Sequence, residues 1–418
     1  MSSDVFTYRN DQLSAAGVPL AEIARSVGTP FYVYDPEAAL ARFRSLSGAF
    51  ESVRHIHCVA LKANSQPALL RPLFAAGGGA EVVSGAELAL ALALGVPSSR
   101  IVFSGVGKTD QELASGIAAD VLLFLVESET ELRALDALAR DEGALARVAL
   151  RLNPDIDART HPHIATGVAT AKFGIDPDEA VALYQSHRDF PNLDFAGIHS
   201  HIGSQITELG PLEENARALA SLVSELRAAG VDIRYVDIGG GLGIPYRGES
   251  TPAFEAYAVG VMKPLRDLGV VVLTEPGRVL FGPAGALVAR VLYVKRVHGR
   301  DIVILDAGLN DLLRPALYGA YHRVVPLARR HRETRIFDVA GAVCESSDVF
   351  ARERDLPAPE RGEHLAILDA GAYGFAMSSN YNLRPRPAEV VVENGGFRVV
   401  RQAETQAQLV ARELESPQ

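Results

Sequence analysis

The stretch HIHCVALKANSQPALLRPLFAAGGGAEVVSGAELALALALG, residues 55–95, decides the fold of this chain. It opens with an apolar run that predicts a strand (55–64) and then passes through residues of helical character. A second apolar run (79–84) and an Ala/Leu-rich helix follow. Both runs are mostly apolar and do not alternate between apolar and polar residues, which is typical of parallel strands with two buried faces. The stretch therefore predicts two consecutive strand–helix units of a parallel sheet.

Six further units follow before about residue 280, separated by helical stretches such as ETELRALDALARDEG and NARALASLVSELRAAG. Their strand candidates are IVFSG (101–105), VLLFLVES (121–128), RVALRLNP (147–154), FAGIHSHIGS (195–204), YVDIGGG (235–241) and VVLTEPGR (271–278). Eight parallel units in about 250 residues match the count of a (β/α)8 TIM barrel. We favour this barrel over the alternative of a doubly wound open sheet.

After residue 285 the sequence changes character. Strand-like segments separated by Gly, Pro and Asn turns replace the alternation with helices, which predicts an all-β domain of the β-sandwich or β-barrel type. The N-terminal FYVYD either joins this domain or leads into the barrel. We expect a barrel domain over residues 36–284, and a C-terminal β domain that takes in the N-terminal segment, residues 1–35 with 285–418.

Composition limits the partners of the chain. Its 418 residues carry a net charge of −10, which argues against nucleic acid or an anionic membrane as the main partner. Only Cys58 and Cys344 are cysteines, so no disulfide framework is implied, and the polar N-terminus has no apolar signal core. No apolar run is long enough to predict a membrane-spanning helix. We expect a cytoplasmic protein.

Side chains that carry chemistry gather where the predicted barrel strands end. Ligands bind at this face of a TIM barrel, because the loops that follow the strands form its mouth. The strand-end residues are Lys62, Ser84, Ser104, Glu127, Asn153, His201, Ser204, Gly239, Gly240, Gly241, Glu275, Gly277 and Arg278. A single polar strand end is common, but a lysine, a histidine, a glutamate and a glycine loop together predict a ligand site.

Two of these residues suggest a particular chemistry. Lysines usually coat surfaces, so Lys62 at a strand end is a candidate for a Schiff base with an aldehyde cofactor. Glu275 is held in a turn by the Pro and Gly that follow it, and it could keep a pyridine nitrogen protonated. The alternative for Glu275 is a surface acid paired with Arg278.

The run DIGGGLG (237–243) suits a phosphate, because glycine amides can approach an anion with no Cβ in the way. Barrel phosphate sites favour the loops after strands seven and eight, and this run follows strand seven. His201 is either a core histidine or one that stacks on a ring or moves a proton. We expect His199 and His201 to face opposite sides of their strand, which disfavours a metal pair, and we predict no metal site.

The β domain contributes further candidates. Cys344, which precedes Glu345, is either a small buried residue or a donor of a proton to carbon. Arg314 and Tyr318 have the i, i+4 spacing of one helical face, and Arg314 could bind a substrate carboxylate through its planar fork. Tyr373 lies between glycines as a hydrogen-bond donor.

Taken together, these motifs resemble the family of meso-diaminopimelate decarboxylases. That family belongs to the pyridoxal-phosphate enzymes of fold type III, which are built like alanine racemase and the eukaryotic ornithine decarboxylases. The resemblance covers nearly the whole chain, from FYVYD to RPRPAEVVV. The motifs that carry it, in chain order, are LKAN, EVVSGAEL, FSGVGKT, THPHIATG, KFGI, HIGSQI, DIGGGLG, EPGR, NDLLRPALYGAYH, CESSD and DAGAYGF. The ordered set is far more specific than any one motif.

The resemblance implies pyridoxal 5'-phosphate as the cofactor, held by Lys62 as an internal aldimine. It implies decarboxylation of meso-2,6-diaminopimelate to L-lysine and carbon dioxide, the last step of lysine biosynthesis. His201 would stack on the cofactor ring, and Glu275 would pair with the ring nitrogen. The residues implied around the phosphate or its linkage are Ser204, Gly240, Gly241, Gly277, Arg278 and Tyr373.

The resemblance also implies which residues bind the substrate. These are Arg278, Arg314, Tyr318, Glu345 and Tyr373. Cys344, the implied proton donor, and Glu345 would enter the site from the partner subunit of a head-to-tail homodimer with shared active sites.

The chain departs from the family pattern in two places. It reads LKAN where VKAN is usual, and CESSD where CESGD is common, so Ser347 replaces a glycine and could change the geometry of that loop. Three rival functions are a decarboxylase of ornithine, arginine or a natural-product intermediate, a fold-related racemase, and a catalytically dead regulator. The two arginines favour a dicarboxylic substrate, Glu275 argues against a racemase, and an intact Lys62 argues against a regulator.

Overall fold

The computed structural model describes residues 5–158, 166–167 and 171–415. Among these residues, no helix has both the length and the apolar sequence that crossing a membrane requires. The chain divides into two compact units. The barrel unit comprises Ala41–Pro245 and Glu249–Val279, and the β unit comprises Met1–Leu40, Tyr246–Gly248 and Leu280–Gln418.

Strands and helices alternate in the barrel unit, whereas strands dominate the β unit. The strands, in chain order, are β1 (Phe6–Arg9), β2 (Gln12–Ala15), β3 (Val18–Pro19), β4 (Phe31–Tyr34), β5 (His55–Ala60), β6 (Gly79–Val82), β7 (Ile101–Phe103), β8 (Leu123–Val126), β9 (Ala146–Leu152), β10 (Leu193–Ser200), β11 (Tyr235–Asp237), β12 (Val271–Thr274), β13 (Gly285–Val297), β14 (Arg300–Leu305), β15 (Val324–Pro326), β16 (Thr334–Ala340), β17 (Val349–Pro357), β18 (His364–Ile367), β19 (Ala388–Glu393) and β20 (Gly396–Arg401). The α-helices are α1 (Leu20–Val27), α2 (Pro36–Ala49), α3 (Pro67–Ala75), α4 (Gly85–Ala93), α5 (Asp110–Ala118), α6 (Glu129–Asp141), α7 (Pro177–Gln185), α8 (Leu209–Ala228), α9 (Phe254–Met262), α10 (Arg278–Phe281), α11 (Arg314–Tyr318) and α12 (Gln406–Leu414).

Strands β5 to β12 form a closed parallel barrel. Each strand pairs with the next, and β12 closes the barrel on β5, with Val272 opposite His55 and Thr274 opposite His57. One α-helix, from α3 to α10, follows each strand in the chain. The predicted (β/α)8 barrel is therefore confirmed, and the doubly wound sheet is excluded because such a sheet leaves two edges unpaired.

Burial explains why the barrel strands are mostly apolar. Side chains from several strands form one cluster in which no member is more than 4% exposed. Its members are Cys58, Val102, Leu122, Leu123, Leu125, Ala149, Ala196 and Leu273. Removing such side chains from water is the main favourable contribution to folding, so strand sequences with two buried faces have little room for polar residues.

Hydroxyl side chains cap the helices that follow three of the barrel strands. The Ser84 hydroxyl, just after β6, accepts a hydrogen bond from the Glu87 amide in the first turn of α4. Thr109 and Glu112 form a reciprocal capping box at α5, and Ser128 caps α6. These caps satisfy amides that the first helical turn leaves without intrahelical acceptors. Ser84, one of the predicted strand-end residues, thus has a structural role as a helix cap.

A nine-stranded sheet forms the centre of the β unit. Seven of its strands run in the order β17-β16-β14-β13-β4-β19-β20, and β18 pairs with both β13 and β15. The strand β4, from the N-terminal FYVYD, lies between β13, which is antiparallel to it, and β19, which is parallel. Strands β1 to β3 form a separate small sheet. The predicted all-β domain is confirmed, and the N-terminal segment belongs to it.

Two helical glycines give a matched test of packing in the barrel unit. A Cβ on Gly116 of α5 would lie 2.6 Å from the buried ring of Phe124, whereas a Cβ on Gly48 of α2 would meet nothing within 4 Å. We predict that Gly116→Ala lowers the free energy of unfolding by about 1–3 kcal/mol through overpacking. Gly48→Ala should raise it by up to about 1 kcal/mol, because alanine favours helix more than glycine does.

Urea unfolding of both variants measures these changes. A Gly116→Ala variant as stable as the Gly48→Ala variant would contradict the packing of α5 against β8.

Candidate active site

The predicted strand-end residues lie where the sequence places them. The barrel strands β5, β10, β11 and β12 end at Ala60, Ser200, Asp237 and Thr274, one to three residues before the main candidates. Because all barrel strands are parallel, these ends share one rim. Lys62 itself lies in a single 3-10 turn, Leu61–Ala63, directly after β5.

Lys62 forms an ion pair that the sequence did not reveal. Its Nζ donates to Oε1 of Glu81, at 2.7 Å, and the lysine side chain is 35% exposed while the glutamate is fully buried. Glu81 lies on β6, the neighbour of β5, where it stands opposite Ala60. A charged residue inside the apolar run GAEVV was the available signal. The pair links the lysine amine to a buried carboxylate of the neighbouring barrel strand.

Glu275 is buried beside two other polar side chains, those of His199 and Asp237. One nitrogen or oxygen atom from each of the three lies within 4.8 Å of the others, and His199 Nε2 is 3.7 Å from Glu275 Oε1. Burial, together with the charges of Asp237 and Glu81, holds the pKa of Glu275 well above its usual range. Its Oε1 has no hydrogen-bond partner within the described part of the chain. A buried carboxylate without a hydrogen bond is unfavourable, and a cationic N–H group beside it would stabilise its charged form.

The expectation that His199 and His201 face opposite sides was wrong. His199 Nε2 lies 3.7 Å from Glu275 Oε1, and the ring of His201, one residue beyond the end of β10, accepts a hydrogen bond from the Gly240 amide. Both rings therefore lie against the segments that follow the barrel strands β11 and β12. The physical reason is that residues two apart on a strand share a face. Desolvation and the charge of Lys62 keep the pKa of His201 well below its usual range, so its ring is neutral.

His201 also has a defined tautomer, because its Nδ1 accepts a hydrogen bond of 3.1 Å from the Gly240 amide. The proton of the neutral ring therefore lies on Nε2. A neutral ring held by one edge leaves its flat face available for stacking on another planar group.

The glycine run after β11 is tightly packed. A Cβ on Gly240 would lie 2.3 Å from the Glu275 carbonyl oxygen. A Cβ on Gly241, where φ is +101°, would lie 2.5 Å from the Gly203 carbonyl oxygen. Only glycine fits at these two positions, which keeps the backbone of the loop against the residues that follow β10 and β12.

Arg278 supplies a positive charge beside this loop. It is 6% exposed, and its Nη2 donates to Ser204 Oγ at 3.0 Å. Arg278 begins α10, directly after the buried Gly277. A buried guanidinium next to glycine amides is suited to a phosphate or a carboxylate.

Glu127 is a structural residue in this barrel. Its Oε1 accepts from Nη1 of Arg151 at 2.6 Å, and its Oε2 accepts from the Gly174 amide. Both charged side chains are buried. The pair joins the ends of β8 and β9 to the segment that begins at residue 171. The motif THPHIATG (160–167) lies outside the described residues except for its last two.

In the β unit, Arg314 and Tyr318 begin and end the short helix α11, as the sequence predicted. Arg314 is 4% exposed, and its Nη1 donates both to Tyr246 Oη at 2.9 Å and to His322 Nε2 at 2.8 Å. Neither of these partners was predicted from the sequence. The last residue of the motif NDLLRPALYGAYH was the available signal for His322.

Cys344 is exposed, which contradicts the alternative of a small buried residue. Its amide donates to Asn382 Oδ1, and the carboxylate of the neighbouring Glu345 accepts a 2.6 Å hydrogen bond from Tyr381. Thiol and carboxylate therefore stand side by side on a surface loop of the β unit.

Asp348 fixes the base of this loop, because its carboxylate accepts hydrogen bonds from the amides of Leu309 and Val343. Ser347, which replaces a glycine of the family pattern, is not among the residues with positive φ. A serine at this position therefore causes no backbone strain.

Tyr373 has a left-handed backbone, with φ of +55°, in a loop held by its neighbours. A Cβ on Gly371 would lie 2.0 Å from the Phe281 carbonyl oxygen, and one on Gly374 would lie 2.3 Å from the Ala370 carbonyl oxygen. The two glycines permit the close approach of backbone that positions the tyrosine.

Comparison with known proteins agrees with these features. A model of the family "Pyridoxal-dependent decarboxylase, pyridoxal binding domain" matches residues 38–282. The diaminopimelate decarboxylase of Aquifex aeolicus is 44% identical over 98% of this chain and 97% of its own length, and that of Vibrio cholerae is 43% identical over 99% and 100%. The solved structure of the M. jannaschii diaminopimelate decarboxylase in co-complex with L-lysine is 36% identical, with a TM-score of 0.94 over 99% of this chain and 98% of that one.

Glu87 makes the stability of the barrel unit depend on pH. Burial and the charge of Glu81 raise its pKa to about 7, from 4.5. Between these two values the folded chain keeps a proton that the unfolded chain releases, so stability falls as pH rises from 4.5 to 7. We predict that Glu87→Gln makes this decline shallower by up to about 1.4 kcal/mol per pH unit.

The amide of the new glutamine can still accept the Val83 N–H bond that Glu87 accepts. Urea unfolding of the cofactor-free protein from pH 5 to pH 8 measures the slope, with the exposed Glu142→Gln as a control that should match the wild type. Equal slopes for Glu87→Gln and the wild type would contradict the assignment.

Proposed function

The chain belongs to the diaminopimelate decarboxylase family of pyridoxal-dependent decarboxylases, and from this we propose that it decarboxylates meso-2,6-diaminopimelate to L-lysine and carbon dioxide. It is a carboxy-lyase that uses pyridoxal 5'-phosphate and acts in the last step of lysine biosynthesis. The observation that carries the proposal is the buried Glu275 Oε1, which has no hydrogen-bond partner among the described residues and shares the barrel rim with Lys62. The relative with L-lysine bound is consistent with this product.

The residues of the barrel rim fit pyridoxal phosphate. Glu275 is a buried acceptor that a protonated pyridine nitrogen would satisfy. Gly240 and Gly241 have no room for a Cβ, so the backbone of this loop could approach a bound phosphate with no side chain in the way. We propose that Lys62 attaches the cofactor covalently and that His201 lies against the face of the cofactor ring. We also propose that six residues surround the phosphate or its linkage. These are Ser204, Gly240, Gly241, Gly277, Arg278 and Tyr373.

When bound, the cofactor supplies a protonated ring that delocalises the electron pair left by departing carbon dioxide. The chain supplies the electrostatics that this requires. Glu275 would pair with the ring nitrogen and favour its protonated form, and the neutral His201 would lie against the ring without adding a competing positive charge. Glu81 accepts a hydrogen bond of 2.7 Å from the Lys62 amine in the structure without the cofactor.

Substrate recognition is the proposed task of the arginines. In meso-diaminopimelate the carboxylate of the D centre leaves, and the carboxylate of the L centre stays in L-lysine. We assign the carboxylate that stays to Arg314 and Tyr318, with Arg278, Glu345 and Tyr373 as further substrate contacts. A buried arginine left without its carboxylate is costly, so a substrate such as ornithine, which lacks the second carboxylate, is rejected.

Cys344 is the proposed proton donor to the carbon that loses its carboxylate. It lies exposed beside Glu345 on the surface loop of the β unit. We propose that both residues enter the active site of a second copy of the chain, so that the working unit is a homodimer with shared sites. A site completed by a partner explains why a reactive thiol and an acid stand on an outer surface.

We also propose a cytoplasmic location. The support is the pair of unpaired thiols, Cys58 and Cys344, which a reducing compartment maintains.

Release of carbon dioxide tests the substrate. We expect turnover of meso-diaminopimelate, stimulated by added pyridoxal phosphate, and little release from ornithine or arginine. Faster release from either of these amino acids would assign the chain to another substrate within the family.

Lys62→Ala should abolish both decarboxylation and covalent cofactor attachment. The chain has only five lysines, so borohydride reduction of the loaded wild type followed by peptide mapping identifies the attachment point directly. We expect the label on Lys62 alone, and the exposed Lys263→Ala should keep both label and turnover. A label on another lysine, or undiminished turnover in Lys62→Ala, would overturn the central assignment.

Mixing two defective variants tests the shared site. Cys344→Ala should slow turnover but retain the cofactor. If Cys344 acts across the dimer, subunit exchange with Lys62→Ala gives mixed dimers with one intact site, and activity should return to about a quarter of wild type. No recovery after verified subunit exchange would place Cys344 and Lys62 in the same subunit's site.

A further inference from the structure

We propose that His322 is a positioning residue for the substrate: it holds the Arg314 guanidinium in the orientation in which Arg314 binds the carboxylate that remains in the product. The inference rests on the proposed function of Arg314 and adds a residue that makes no substrate contact itself. It depends on four residues of the β unit, namely Tyr246, Arg314, His322 and Leu368.

The hydrogen bonds of His322 define its protonation. Its Nδ1 lies 2.8 Å from the Leu368 carbonyl oxygen, which can only accept, so Nδ1 carries a proton and donates it. Its Nε2 lies 2.8 Å from Arg314 Nη1, which can only donate, so Nε2 is the acceptor. His322 is therefore a neutral imidazole of one tautomer, fixed between a backbone carbonyl and a guanidinium.

The second acceptor for Arg314 is the hydroxyl of Tyr246. The two hydrogens of Arg314 Nη1 are directed to Tyr246 Oη and to His322 Nε2. Two acceptors on one nitrogen fix both the position and the plane of the guanidinium. The Tyr246 and His322 rings also meet edge to face, with centroids 5.3 Å apart. Fixing this plane also fixes the direction of the edge formed by Nε and Nη2, which has the fork geometry that a bidentate carboxylate needs.

Burial makes this arrangement rigid. His322 is fully buried, Tyr246 is 5% exposed and Arg314 is 4% exposed. The helix α11, which Arg314 begins, has only five residues and ends at Gly319, so it constrains the arginine side chain weakly. His322, eight residues further along the chain, is therefore one of the groups that orient Arg314. A histidine that held only the local fold would need no acceptor directed at the arginine.

Two substitutions separate the two hydrogen bonds of His322. In His322→Asn the amide can reach the Leu368 carbonyl from the position of Nδ1 but offers Arg314 no acceptor. In His322→Gln the amide oxygen can reach the position of Nε2 and restores the acceptor for Arg314. Comparing the two variants distinguishes positioning of Arg314 from support of the fold near Leu368.

Three ligands then report on the carboxylates separately. meso-Diaminopimelate has both, L-lysine has only the carboxylate that stays, and D-lysine has only the one that corresponds to the leaving group. For His322→Asn holoenzyme we expect KM for meso-diaminopimelate and the inhibition constant of L-lysine to rise by about tenfold or more. Inhibition by D-lysine, affinity for pyridoxal phosphate and kcat should stay within about threefold of wild type.

His322→Gln should restore most of the affinity that His322→Asn loses, and Tyr246→Phe should weaken L-lysine binding in the same direction with the ring contact kept. In an Arg314→Ala background, His322→Asn should cause no further loss, because the group that it positions is gone. Tyr246→Phe keeps the proposal testable if His322→Asn does not fold.

Several outcomes would overturn the proposal. These are a His322→Asn enzyme with wild-type L-lysine affinity, equal losses for D-lysine and L-lysine, a His322→Gln enzyme as weak as His322→Asn, or additive losses in the Arg314→Ala background. A wild-type enzyme that releases no carbon dioxide from meso-diaminopimelate would instead contradict the proposed function. The two failures are therefore distinguishable.

Discussion

Closure of the parallel barrel is the constraint on which the site depends. Pairing of β12 with β5 brings together segments more than two hundred residues apart, and the Ala60 amide donates to the Pro276 carbonyl across that seam. Lys62 and Glu275 follow these two strands directly. An open sheet of the same strands would place β5 and β12 apart, because nothing would pair their free edges. Lys62 and Glu275, the proposed attachment lysine and the proposed partner of the ring nitrogen, are thus brought onto neighbouring strand ends by hydrogen bonding of the backbone.

Burial of like charges is the cost of this arrangement. Glu81, Asp237 and Glu275 are carboxylates that lie almost fully out of water. The charge of Glu81 raises the pKa of both Asp237 and Glu275, and the charge of Asp237 raises that of Glu275. Lys62 and Arg151 partly offset this repulsion, since both lower the pKa of Glu275. A cationic ring nitrogen would stabilise the cluster further. Pairing of a cationic ring nitrogen with Glu275 would therefore contribute to the free energy of cofactor binding.

In the β unit, two neutral side chains, Tyr246 and His322, orient the charged guanidinium of Arg314. Arg314 is held by a tyrosine hydroxyl and an imidazole, so its positive charge is hydrogen-bonded at one nitrogen without being neutralised there. An acidic partner would fix the guanidinium equally well but would compete with a substrate carboxylate. The two neutral acceptors on Nη1 do not themselves cancel the attraction of the guanidinium for a carboxylate.

The sequence by itself determined the barrel, the all-β domain and the positions of Lys62, His201 and Glu275. Fully apolar runs and the residues that follow them are local patterns that parallel strands require. Only the tertiary structure decided the partners, since Glu81 meets Lys62 on a neighbouring strand and His322 meets Arg314 across a turn. It also corrected the expected orientation of His199, which lies against Glu275 of another strand. Side-chain partners depend on register and packing between distant segments, which no local pattern specifies.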